Sequence, residues 1–245
     1  MKKVQDKEYE QLVVWNTRNE GGAMRKVAIA LGWDEDKIPY QEFLDELSKG
    51  YQLTLEDLEK ACELFAKYGW TLPMDSQPGE VLDLVDSCSE ENIDNYFYKF
   101  YTENNNENLL AIFEEIQENE AIIKWKRLMN ECILAYKSEL YLVTIPSLIS
   151  IIEGLISTFM DNPNSIRIMN VCKDMTTKHN GYHRLLWVSI HNFIQNLFEK
   201  QNFNGMRPGL INRHWILHGR DETTWRDLDA IKLFVAVHAL LVVSR

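Results

Sequence analysis

The sequence predicts an all-α protein, and three observations carry that expectation. Apolar residues recur at three- and four-residue spacing along most of the 245-residue chain. No run alternates apolar and polar residues long enough to specify a strand. Capping residues and glycine or proline stops bracket the periodic segments. Within this class the chain reads as an N-terminal helical lobe, residues 1–110, followed by a helical domain, residues 111–245.

Taken in order, residues 4–19 are helix-forming but poor in apolar anchors, and Gly21-Gly22 ends them. Ala23 to Leu31 is a short helical pattern stopped by Gly32, and Pro39 to Gly50 holds a third. Thr54-Leu55-Glu56-Asp57 has a capping signature, after which Leu58, Ala61, Leu64 and Phe65 share a face. Tyr68 to Pro73 is a turn. Asp94 to Tyr101 is an aromatic helix whose Tyr96, Phe97, Phe100 and Tyr101 are core candidates, and Glu103 to Asn108 is a polar surface loop. Leu109 to Gln117 precedes a long helix from about Ala121 to Ser138. Ile145 to Met160 is apolar nearly all round, with Pro146 in its first turn, and Asp161 to Asn164 breaks it. A helix from about His183 to Lys200, the loop Gln201 to Ile211 and a terminal helix after Thr224-Trp225-Arg226-Asp227 complete the chain. The last is apolar on every side from Leu233 to Val243 and must be buried.

Charge divides the chain. Residues 1–120 hold 11 Lys and Arg against 27 Asp and Glu; residues 121–245 hold 15 against 10 and all six histidines. A polyanion partner therefore fits the second half alone, through a local, salt-dependent contact, while the acidic half could gate a site or bind a regulatory protein or trigger. Cys62, Cys88, Cys132 and Cys172 are scattered, which argues for reduced thiols rather than a disulfide framework or zinc site. The start has no apolar run of the signal-peptide kind, and Pro146 and Glu153 interrupt the most apolar stretch, so the expectation is a cytoplasmic protein without a membrane span.

One stretch concentrates reactive chemistry: Asn212-Arg213-His214-Trp215-Ile216-Leu217-His218-Gly219-Arg220. An imidazole moves protons near neutral pH, and a guanidinium grips phosphate in a fixed fork. With Asn212 as an N-cap, Arg213 and His214 fall in the first turn, and His214 and His218 share a face. Arg213 and His218 lie about 140° apart around the axis, so Arg213 must fold back, or else the two face a second copy of the site across a twofold axis.

An arginine and a histidine separated by four residues in the last helical segment of an α-bundle resemble the HEPN superfamily. Asn-Arg-His-Trp-Ile-Leu-His-Gly at 212–219 is similar to its Apea-like and abortive-infection-like branches. Ile145-Pro146-Ser147-Leu148-Ile149-Ser150-Ile151-Ile152-Glu153-Gly154-Leu155-Ile156 looks like their central helix. The resemblance covers about residues 120–245 and implies a HEPN-like bundle there. It implies an endoribonuclease of phage-defence or stress-response type, needing neither metal nor cofactor. RNA would be its substrate, cut in a cleft of a homodimer. By carry-over His218 is the general acid or base and Arg213 holds the scissile phosphate. Asn212 and His214 orient the pair or touch phosphate, and Glu153 fixes its geometry. In the commonest form of the motif the polar residue follows the arginine, whereas here Asn212 precedes it and His214 follows. Arg207 and Arg220 are candidates for a phosphate-tracking rim, beside Lys173 and Lys178.

Other readings stand beside this one. His179, His183 and His191 with Asp174 could ligate a metal if one helix carried them, but Asn180-Gly181 reads as a turn. Trp215 could stack on a base, although its place before Ile216 and Leu217 fits the bundle interior better. The whole domain could also be a catalytically silent interaction module that binds a protein or nucleotide partner.

Overall fold

Near-continuous burial explains the architecture: from Leu228 to Leu241 every side chain but Asp229 of the terminal helix is enclosed, so other helices must surround it. In a computed structural model of the protein, residues 55–73, 85, 92–160 and 168–244 are described. The helices read at 4–19, 23–31 and 39–50, the loop at 74–78, Cys88 and the break at 161–164 lie outside them. The chain divides into two units, Met1–Leu58 and Glu59–Arg245. The second is described here, and it begins well before residue 111, where the sequence suggested a boundary.

The described helices are α1 Leu55–Lys67, α2 Ile93–Glu118, a 3₁₀ turn Glu120–Trp125, α3 Lys126–Lys137, α4 Tyr141–Ser157, α5 Ile168–Lys178, α6 Gly181–Phe198, α7 Arg213–Leu217 and α8 Asp227–Val242. No strand occurs among the described residues. Helix α8 packs on α2, α4 and α6, while α4 also meets α3, α5 and α7. No described helix is long and apolar enough to cross a membrane.

The domain boundary moves because α1 and α2 contribute to the same core. Phe65 meets Phe97 edge to face at 5.1 Å, and Trp70 stacks on Tyr101 at 6.0 Å. Asn196 of α6 donates to the Ala66 carbonyl at 2.6 Å, and the Leu72 amide donates to Ser189 Oγ at 2.6 Å. Lys232 adds an ion pair inside this apolar setting. Its Nζ lies 2.8 Å from Asp94 Oδ1, which also accepts from Trp70 Nε1 at 2.7 Å. A buried ammonium needs such a partner. Of the aromatic quartet on α2, Phe97 and Tyr101 are buried, whereas Tyr96 and Phe100 are half-exposed.

Several element boundaries differ from the periodicity. Residues 103–106 interrupt α2, with Asn104, Asn105 and Asn106 at φ of 51°, 60° and 64°, a conformation asparagine tolerates. Asn108 Nδ2 staples the break to the Phe100 carbonyl at 2.7 Å. The long helix near 121–138 opens as a 3₁₀ turn capped by Asn119 and becomes α-helical only at Lys126. Helix α4 starts at Tyr141, which puts Pro146 inside it rather than in the first turn. Hydroxyls line that segment: Thr144 donates to the Leu140 carbonyl at 2.9 Å and Ser147 to the Val143 carbonyl at 2.9 Å. Helix α8 begins at Asp227, and Asp229 accepts the Arg226 amide at 2.9 Å, so Thr224 lies upstream of its start.

Cys62, Cys132 and Cys172 are buried and free. Burial pushes their thiols up to about 12, 11 and 12. Thiols this reluctant to ionise are core residues, not nucleophiles.

Candidate functional site

Asn212 builds the site by tying three chain segments together. Its side chain is almost wholly enclosed, at 1% exposure. Oδ1 accepts the amides of His214 at 3.0 Å and Trp215 at 3.2 Å, which caps α7. Nδ2 donates to the carbonyls of Asn196 at 3.2 Å and Glu199 at 3.0 Å, which anchors α7 to the end of α6. Every hydrogen-bonding position of the amide is thereby engaged, so Asn212 positions the site and has nothing left for a phosphate.

The helix that follows has five residues and ends at once. Gly219 adopts φ +63°, the left-handed conformation that suits glycine after a helix. The Gly219 amide donates to Ile216 O at 3.1 Å and the Arg220 amide to Trp215 O at 2.8 Å, closing a Schellman turn. His218 is therefore the C-cap, one residue past the last helical position, Leu217. Gly209, just ahead of α7, has ordinary backbone and open space around it.

Arg213 and His218 have different neighbours. Arg213 Nη2 reaches both carboxylate oxygens of Glu153 on α4, at 3.3 and 3.4 Å. These distances exceed those of a tight charge-assisted bond. The two side chains are about one-third exposed, at 32% and 29%. Arg213 Nε is buried without a partner. Glu153 thus steers the arginine without saturating its donors.

His218 is exposed and its ring makes no hydrogen bond among the described residues. It stands edge to face with His214 at 4.7 Å between centroids. Both rings are braced by Phe203, which lies flat on His214 at 4.4 Å and 8°, and edge-on to His218 at 5.9 Å. The Arg220 guanidinium sits 5.4 Å from the Phe203 ring centre. Partial burial and the charges of His218, Lys200 and Arg213 hold the His214 pKa below the usual histidine value. Phe203 escaped the sequence reading because it is one aromatic residue in a loop of Asn, Gly and Pro. Such a loop gives no period, and the aromatic itself was the available signal.

The two rim arginines have different surroundings. Arg207 forks onto the carboxylate of Asp221, which also accepts from Trp225 Nε1 at 2.7 Å. That network staples the loop and neutralises Arg207, so Arg207 is spent on structure. Arg220 keeps an exposed guanidinium. Lys173 and Lys178 lie on exposed positions of α5. Trp215 is buried at 7% exposure and packs edge-on to Phe203 at 5.7 Å, which leaves no face for a base.

The second histidine group does not form one helical row. Helix α5 ends at Lys178 and α6 starts at Gly181, so His179 lies in the connection. His179 and His183 approach edge to face at 5.9 Å, and His179 stacks on Trp187. Among the described residues no group of three or more His, Cys, Asp or Glu side chains converges as a metal set. Compared with family models, curated proteins and solved structures, the chain matches none.

Proposed function

We propose that the chain is a metal-independent endoribonuclease whose Arg213 and His218 act at a cleft between two copies. The observation that carries this reading is an exposed His218, without a hydrogen bond among the described residues, about one turn from an arginine that is anchored but not saturated. An imidazole open to solvent can exchange a proton with a ribose hydroxyl or a leaving oxygen. An arginine held by one nitrogen can turn its remaining donors toward a phosphate and stabilise the charge that builds there. The resemblance of 212–219 and 145–156 to HEPN stretches supports the same reading. A single copy leaves His218 facing open solvent, which favours a second copy as the other wall.

Digestion of mixed cellular RNA by the purified chain in EDTA tests this. Wild type is expected to cut, while His218→Ala and Arg213→Ala each lose activity by about 100-fold or more. Equal cutting by the variants, or none by a folded wild type, would sink the assignment.

A silent binding module is the second reading. The Arg213–Glu153 contact favours it, because a guanidinium already facing a carboxylate carries less net charge toward RNA. Retained RNA or nucleotide binding without any cleavage would select it.

A further inference from the structure

We infer that His214 is the general base and His218 the general acid of the proposed cleavage, a two-histidine division of labour held by Phe203. This inference rests on the ribonuclease reading and goes beyond it, since that reading needs only one histidine.

The geometry carries the assignment. The two imidazoles are 4.7 Å apart at 74°, close enough to serve the two oxygens that flank one phosphorus. They sit at i and i+4, His214 in α7 and His218 at its C-cap, on a turn fixed at one end by Asn212 and at the other by Gly219. Phe203 lies against both rings and restricts their rotation.

The division of roles follows from surroundings. His214 faces Arg213 on its own turn and Lys200 just past α6, with His218 edge-on to it. The carboxylate of α4, Glu153, is engaged by Arg213, and Glu199 is held by Gln201 Nε2 at 2.9 Å. Partial burial, with His218, Lys200 and Arg213 close by, favours the proton-free form of His214. His218 is exposed, so its ring stands open to a leaving oxygen.

The step balances. His214 takes the proton of the ribose 2′-hydroxyl, and the 2′-oxygen bonds to phosphorus. The bond from phosphorus to the 5′-oxygen breaks, and His218 delivers its proton to that oxygen. The products are a 2′,3′-cyclic phosphate and a 5′-hydroxyl; Arg213 offsets the added negative charge on the phosphoryl oxygens.

The test uses an RNA oligonucleotide with either a normal linkage or a bridging sulfur in place of the 5′-oxygen. A thiolate leaves without needing a proton, so the sulfur substrate bypasses the general acid. With the normal substrate, His214→Asn and His218→Asn are each expected to lose about 100-fold or more. With the sulfur substrate, His218→Asn should return to near the wild-type rate and His214→Asn should stay slow. Circular dichroism melts check that both variants fold, and His214→Gln replaces His214→Asn if that one does not. Rescue of His214→Asn by sulfur, or a His214→Asn that cuts the normal substrate at the wild-type rate, would overturn the assignment while leaving the ribonuclease standing. A wild type that cuts neither substrate overturns both.

Discussion

Asn212 shows how one side chain can hold a site together. Replacing it by alanine removes a helix cap, a loss of about 1–2 kcal/mol. It also strips two carbonyls at the end of α6 of their donor. Asn212→Ser restores a cap acceptor but not the tether, so its urea midpoint should fall between wild type and Asn212→Ala. If serine recovers the full stability, the tether contributes nothing. The cap was legible, because asparagine before a periodic segment is a start signal with a local cause. The tether was not: its partners are main-chain carbonyls thirteen and sixteen residues upstream, and backbone atoms leave no trace in sequence. The pattern alone showed Glu153 as an acid in an apolar helix, and the family resemblance is what assigned it to the Arg213–His218 pair. Its meeting with Arg213 spans sixty residues and needed the fold.

Between elements, the tightest constraint is the seat of Trp125 on α4. A Cβ at Gly154 would lie 2.5 Å from the indole, and the ring atoms around it leave little room to yield. Gly154→Ala should therefore destabilise by about 1–3 kcal/mol through overpacking, despite alanine's better helix propensity. Pairing it with Trp125→Leu should recover part of the loss in thermal melts; purely additive effects would rule out the contact as the cause. This contact also shows why the helix near 121 was misjudged at its start. The apolar spacing is the same in 3₁₀ and α form over one turn, and what separates them is the cap at Asn119 and the turn that seats Trp125. Helix α5 went unread for a related reason. Its buried anchors are only Ile168 and Cys172, too few for a periodic signal amid polar residues.

For the whole molecule, acid should weaken the fold through histidines that resist protonation. Burial, with Lys173 nearby, lowers the His191 pKa from the ordinary 6.5, and its Nδ1 is enclosed without a partner. A lowered histidine pKa costs nothing above pH 6.5. As pH falls through that value, the unfolded chain binds a proton the folded protein refuses, and stability declines. Unfolding free energy measured in urea at pH 7.5 and 5.5 should drop less in His191→Gln than in wild type; an equal drop would clear His191 of the effect. The all-helical architecture was the most legible property, because a helix buried on all sides declares itself in its own residues. The extent of the compact unit was the least legible. Trp70, Phe65 and Phe97 read as local apolar positions, and nothing in their spacing announces that Asn196 and Ser189 will bind their segment.

Phe203 and Asn212 grip the connection from α6 to α7 near its two ends, whereas between them Met206 stands 91% exposed. The consequence concerns cutting and splicing the chain. Among the described residues a protease should nick first around Asn204–Met206, and that scission alone should leave α6 and α7 held together, because both gripping contacts lie outside it. New sequence inserted at that tip should be carried without disturbing the histidines, and the tip is where a reporter or a tether could be grafted.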